Sequence, residues 1–254
     1  MRVALKFAYD GTKFHGYARQ PEVRTVEGDI LRALDAIGAR YLRFRSSSRT
    51  DKGVSALGNV IAFDTNFRPE ELCGALNSNL EDIYFYGYSR VPLAFWPRYA
   101  DMRWYRYHLY GEHDMELLRS LADIFTGEHD FSSFSKREEG RNPVRKIEEI
   151  SVKKEGEFTV IDIKAQSFLW QMVRRIVGAM ISVEMGEKSE EDIERALMGE
   201  KVIFRIAEPE PLFLMDVIYK RVKFNILRVE KLGDLRKRAL LHAKFLDYLE
   251  KHNI

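Results

Sequence analysis

The hydrophobic period of the first 92 residues switches in an order that leaves few folds open. Val3, Leu5, Phe7 and Tyr9 alternate, which predicts a strand over 2–9. The next twelve residues, DGTKFHGYARQP, hold two Gly and a Pro and read as a loop. Val26, Ile30, Leu34 and Ile37 then fall on one helical face behind Thr25, a good N-cap residue. Two strands are predicted over 41–48 and 57–64, a helix opening at Pro69, and a strand over 82–91. The order is β-α-β-β-α-β, the split βαβ of ferredoxin-like and RRM-like domains, with helices on one face of an antiparallel sheet.

The order then recurs. MRWYRYHLY (102–110) alternates as a strand, and MELLRSLADIF (115–125) follows Asp114 as a helix. Residues 146–154 and 158–166 read as paired strands around a Glu-Gly turn. Helices are predicted over 169–183 and behind Ser189, and a last β-run over 211–219. The expected organisation is α+β: a ferredoxin-like half over 1–92, a second α/β half over 93–220, and a tail over 221–254 whose residues 234–252 form an amphipathic helix on the outside.

Composition narrows the setting. The chain has 254 residues, 45% hydrophobic and 31% charged, the balance of a globular protein. Cys73 is the single cysteine, which excludes an intrachain disulfide and a Cys-rich metal site and fits a reducing, cytoplasmic compartment. The start, MRVALKFAYD, reads as a strand and not as a signal peptide. The longest apolar run, IVGAMISV at 176–183, is too short to span a bilayer. Net charge is +2, yet residues 1–60 carry eleven Lys/Arg against six Asp/Glu. A basic first part fits a polyanionic partner, and equally a chance fluctuation.

Three stretches carry the chemistry. RSSSRTDKGVSALGNV (45–60) sets Asp51 between Arg49 and Lys52, just before an apolar alternation. Asp-Lys-Gly is a good turn, so Asp51 reads as a turn residue, a salt-bridge partner or a working carboxylate. FWPRYADMRWYRY (95–107) interleaves Arg98, Arg103 and Arg106 with six aromatics, the residue types that stack on bases and contact phosphates. Arg103, Tyr105 and Tyr107 share one face of that strand and Trp104, Arg106 and His108 the other, and one of these faces must be core. In SFLWQMVRRIVG (167–178), Leu169, Met172, Val173, Ile176 and Val177 form an apolar stripe with Arg174 at its edge and Arg175 beyond. Cations there are ordinarily solvated edges, unless one of them pairs with a partly buried carboxylate. There is no phosphate loop and no G-x-S-x-G elbow, and His15, His108 and His113 lack ligand spacing. His129-Asp130 alone is a weak metal signal, so no metal is expected.

Taken together, these motifs resemble the tRNA pseudouridine synthase A family. R-T-D-K-G-V-S-A (49–56) is similar to its R-T-D-x-G-V signature. Residues 9–20 resemble its first-strand loop, R-W-Y-R-Y (103–107) its R-x-Y-x-Y strand, 127–134 its G-x-x-D-F-x-S-F segment, and 168–178 its F-x-x-x-M-V-R-x-I-V-G helix. The five stand in family order and span about residues 3–219. The resemblance implies conversion of uridine to pseudouridine in the anticodon stem-loop of tRNA, without cofactor, by a homodimer. It implies Asp51 as the catalytic aspartate, Tyr105 as the active-site tyrosine and Arg174 as the arginine paired with Asp51. Arg49 matches the motif arginine that helps displace the target nucleotide and hold RNA, and Leu212 the apolar residue against the base. Lys52, Arg98 and Arg103 are further candidates for contact with RNA. The chain departs from the pattern at Pro211, where Gly is usual, at Ala207-Glu208, where Ala-Pro is usual, and at Ser55, where many members carry His.

Two other classes stay open on the residues alone. A non-catalytic RNA binder explains the aromatics and cations but has no need of an Asp51–Arg174 pair. A metal nuclease would use Asp51, Asp130 and His129. The implied pairing makes a spatial demand: Asp51 and Arg174, 123 residues apart in the chain, must meet in an active-site cleft between the two halves, with Tyr105 beside them.

Overall fold

The structure, a computed structural model, describes residues 1–136 and 140–251. The first half contains β1 (Arg2–Tyr9), α1 (Val26–Ala36), β2 (Leu42–Ser46), β3 (Ser55–Asp64), α2 (Pro69–Asn79) and β4 (Ile83–Arg90). The second contains β5 (Met102–Tyr110), α3 (Met115–Phe125), β6 (Gly127–Asp130), β7 (Val144–Glu155), β8 (Phe158–Ala165), α4 (Met172–Glu184), α5 (Glu190–Leu197) and β9 (Leu212–Ile218). A two-residue strand, β10 (Asn225–Ile226), and α6 (Lys231–Lys251) follow.

The helix starts follow from capping chemistry. The Thr25 side chain accepts from the Gly28 N–H, and Asp114 accepts from the N–H groups of Glu116 and Leu117. Pro69 opens α2, where its missing N–H has no consequence. Ser189 and Asp192 form a reciprocal capping box at α5. Each cap satisfies amides that the first helical turn cannot.

Among the described residues the strands form one sheet in the order β10-β4-β1-β3-β9-β5-β8-β7-β6, with β2 also on β3. In each half the four main strands lie in the spatial order fourth, first, third, second: β4-β1-β3-β2 and β9-β5-β8-β7. That is the ferredoxin-like order twice over. The halves are not separate sheets. The start of β3 pairs in parallel with β9, Ser55 with Phe213 and Ala56 with Leu214, while its other end pairs with β2. This two-residue seam joins the halves into one mixed sheet, all other pairings being antiparallel. Its position matters, because Ser55 stands four residues after Asp51.

The core is aromatic. Phe7 stacks on Phe85 at 5.0 Å between ring centres, and Phe125 meets Phe134 edge-on at 5.1 Å. These side chains, with Phe63 and Phe131, are fully buried. Each such ring removes a large apolar surface from water, the dominant favourable term in folding.

Three expectations change in detail. The helix expected from 169 begins at Met172, because Gln171 adopts a left-handed backbone (φ 63°) that no continuous α-helix contains. The short strand β6, GEHD, lacks an apolar alternation and so gives no sequence signal. The tail helix touches the body at its start, where Lys231 Nζ donates to the carbonyls of Asn77 and Leu80. Its residues 232–246 are exposed, and residue 252 of the expected span lies outside the described residues. No described helix is long and apolar enough to cross a membrane.

Candidate active site

Asp51 sits on a turn between β2 and β3, closed by the Val54 N–H donating to the Asp51 carbonyl at 3.2 Å. Gly53 supplies the left-handed residue of that turn (φ 87°) and lies against Pro209 and Glu210, where a Cβ would come within 2.9 Å of the Glu210 carboxylate. The approach to Asp51 is braced from several sides. Thr50 Oγ1 shares a 2.8 Å hydrogen bond with the buried Tyr9 hydroxyl, and the Thr50 carbonyl accepts from the Tyr17 N–H. Buried Asn59, on β3, donates from Nδ2 to the Ser48 carbonyl at 3.0 Å and accepts from Ser47 Oγ at 2.7 Å. Ordered donors and acceptors of this kind fix a loop that lies outside the regular strand pairing.

Arg174 is the third residue of α4, and its guanidinium bridges two parts of the chain. Nη1 donates to Asp51 Oδ2 at 3.0 Å, and Nε donates to the Ala207 carbonyl at 2.8 Å. The segment that carries Ala207 can lie this close to α4 because of Gly178. A Cβ there would sit 2.1 Å from the Arg205 carbonyl oxygen. One turn of α4 thus presents the cation, and the next accepts the extended segment that aims it. The side chains of Arg174 and Asp51 are 15% and 24% exposed, so the pair is half-sheltered and only partly screened by water.

The second carboxylate oxygen is also engaged. Trp170 Nε1 donates to Asp51 Oδ1 at 3.0 Å, while Trp170 as a residue is 43% exposed. Tyr105, on β5, lines the same cleft with Arg49, Phe168 and Leu212. It meets Phe168 edge-on at 5.1 Å. Burial pushes the Tyr105 hydroxyl up to about 12; Arg103 opposes that shift and the Asp51 charge adds to it. The phenol is therefore neutral around neutral pH.

Asp51, Tyr105, Arg174, Arg49 and Leu212 line one cavity of about 70 Å3. Arg49, Lys52 and Arg98 are exposed. Arg103 is placed otherwise than expected. It shares the buried face of β5 with Tyr105 and Tyr107, and its side chain donates to Ser48 Oγ and to the carbonyls of Ser47, Arg98 and Gln166. The reason is strand alternation: the face carrying Tyr107 and Leu109 became core, and Arg103 went with it. It holds the approach to Asp51 rather than facing a ligand, and burial lowers its affinity for its proton. Leu212 is buried at the start of β9. The Pro211 carbonyl beside it accepts from the His108 N–H at 3.1 Å.

Trp170 and Asn59 were not singled out in the sequence. Trp170 left one signal, a bulky aromatic beside a helix that needed no further apolar residue. Among the described residues no three or more His, Cys, Asp and Glu side chains gather as metal ligands. His129 and Asp130 lie on β6, the edge strand five places from β3 in the sheet order and so about 24 Å from it at ordinary strand spacing.

Fold and site together define a class: a mixed α/β protein with an arginine-held carboxylate in a cleft between two ferredoxin-like halves and cations on its rim. The comparisons make that particular. Residues 121–220 match the family model described as tRNA pseudouridine synthase. A protein of Thermococcus sibiricus called tRNA pseudouridine synthase A is 44% identical over 266 residues, covering 100% of this chain and 97% of the relative. A protein of the same name from Pyrococcus furiosus is 45% identical over 231 residues, covering 89% of this chain and 86% of the relative. Among solved structures, one titled "Crystal Structure of a Cbf5-Nop10-Gar1 Complex" superposes loosely, with a TM-score of 0.40 and 13% identity over 82% of this chain and 47% of that one. The chain belongs to the tRNA pseudouridine synthase A family.

Proposed function

We propose that this chain isomerises uridine to pseudouridine in the anticodon stem-loop of tRNA, with Asp51 as nucleophile. The observation that carries the reading is the Asp51–Arg174 contact, made by two motifs 123 residues apart. A protein that only holds RNA has no use for a carboxylate fixed by a half-sheltered arginine inside a cationic cleft.

The reaction breaks the N1–C1′ bond, turns the base, and forms a C5–C1′ bond. C5 loses a proton and N1 is left carrying one, so nothing is oxidised and no water is consumed. The chemistry is complete with side chains alone. A base stacked within a helix is out of reach of Asp51, so the target nucleotide must turn out into the cleft. Arg49 and Lys52, exposed beside Asp51, can take the phosphates on either side, and Leu212 offers an apolar wall to the ring.

Arg174 keeps Asp51 oriented, with the Ala207 carbonyl fixing Arg174 in turn. The carboxylate then adds to the base ring or assists departure from C1′; either route uses the same oxygen geometry. Tyr105 stands where it can stack on the base and take part in proton transfer from C5. As a neutral phenol it has to pass its own proton on as it accepts the one from C5.

The homodimer and the cytoplasmic setting belong to this reading. A second copy would double the cationic rim of a chain whose net charge is only +2. Light scattering at working concentration checks the dimer.

The test is tritium release from tRNA labelled at uridine C5. Asp51→Asn is expected to abolish release while leaving tRNA affinity within about threefold, since the substitution keeps size and cleft shape. Substantial turnover by the variant would remove Asp51 from the mechanism.

A further inference from the structure

Both oxygens of Asp51 are occupied, but by partners of different kinds. Arg174 holds Oδ2 from a fixed base, because its Nε is itself anchored on the Ala207 carbonyl. Trp170, a residue 43% exposed that lines the cleft, holds Oδ1 through its indole N–H. The Lys136 ammonium lies over the same ring, 4.1 Å from its centre.

The backbone under Trp170 is pinned. Its carbonyl accepts from the Lys136 N–H at 2.9 Å, the neighbouring Leu169 is buried, and the Met172 N–H donates to the Leu169 carbonyl. Gln171 holds a left-handed conformation between the pinned turn and α4. Such a conformation in a residue other than Gly costs free energy and persists only where the surroundings demand it. Here it keeps α4 from extending back through Trp170, so that the indole points toward Asp51 rather than following the helix surface. The side chain can leave by rotating about its own bonds while the backbone stays in place.

We propose that Trp170 is the gate of the active site. In the free protein its indole N–H occupies Asp51 Oδ1 and its ring stands over the carboxylate. The turned-out uracil displaces the ring and takes its place against Asp51, leaving Arg174 on Oδ2. The carboxylate is thus covered until a base of the right size arrives. This rests on the proposed function above and adds to it a residue that governs admission of the base.

A gate has an unusual signature: removing it tightens substrate binding. The closed form is incompetent for binding, and the apparent affinity is reduced by the fraction of molecules that are open. Trp170→Phe keeps a ring but loses the N–H, and Trp170→Ala loses both. In single-turnover tritium release, both are expected to lower the half-saturating tRNA concentration about three- to tenfold, the population change that follows loss of one hydrogen bond. With tRNA carrying an abasic nucleotide at the target position, wild type and variants are expected to bind alike, since there is no base to admit. A half-saturation that is unchanged or raised in both variants overturns the gate and makes Trp170 a stacking or positioning residue. A gain that appears equally on abasic tRNA overturns it too. If the wild-type protein itself releases no tritium from any uridine-labelled tRNA, it is the proposed function that fails, not the gate alone.

Discussion

Removing the Arg174 guanidinium tests the physical argument of the site most directly. Two charges 3.0 Å apart attract by about 5 kcal/mol at an effective dielectric constant of 20, before any desolvation is counted. The pair is partly sheltered, and desolvation of both groups offsets more than half of that attraction. What remains matches a hydrogen bond to a charged group, about 2 kcal/mol. In urea unfolding, a double-mutant cycle of Asp51→Asn and Arg174→Met is therefore expected to give a coupling energy of about 2 kcal/mol. In single-turnover tritium release, Arg174→Met is expected to slow the reaction by about 30-fold or more, the rate equivalent of that energy. Arg174→Lys restores the charge but not the fork, because one ammonium cannot reproduce the planar hold on both Asp51 and Ala207. It is expected to recover only part of the loss and to remain about tenfold below wild type. A coupling below about 0.5 kcal/mol, or a Met variant within about threefold of the wild-type rate, would refute the idea that Arg174 holds the carboxylate for reaction.

Gly178→Ala places a methyl group 2.1 Å from the Arg205 carbonyl oxygen and must push the 205–207 segment off α4. It is expected to cost about 1–3 kcal/mol in urea unfolding and to lower turnover by loosening the Ala207 hold on Arg174; unchanged turnover would show that Ala207 does not aim Arg174. Alkali is expected to destabilise the fold through its buried tyrosines. Burial raises Tyr105 and Tyr107 to about 12, so the unfolded chain releases these protons first. Their contribution to stability is fully present below the ordinary tyrosine value of about 10 and is lost as pH rises towards about 12. Thermal unfolding across that range checks it: Tyr105→Phe should flatten the decline, and an equal decline in wild type and variant would contradict the assignment.

Much of the architecture was legible because it rests on local rules. Periods of two and 3.6 marked the strands and helices, and Thr25, Asp114 and Ser189 announced their helices by capping chemistry. The side chains at the centre of the site were legible for a different reason. Asp51, Tyr105 and Arg174 each sit inside a motif that resembles a known family, so they could be named before their contacts were seen. Arg103 shows where this stops. Alternation separates the two faces of β5 but does not say which is buried, and Arg103 lies on the buried one. Trp170 shows a second limit, since its hydrogen bond to Asp51 spans 119 residues and follows no period.

By itself, then, the sequence determined the two β-α-β-β-α-β halves, the turn that carries Asp51 and the residue types available for chemistry. All of these depend on interactions within a few residues of one another. Only the tertiary structure decided that β3 and β9 pair through a two-residue parallel seam and fuse the halves into one sheet. It also decided that Gly178 admits the 205–207 segment that aims Arg174 at Asp51, and that Trp170 covers the remaining oxygen. These are close approaches between distant parts of the chain. They are set by which surfaces fit together once the cores are packed, and no local pattern encodes that fit.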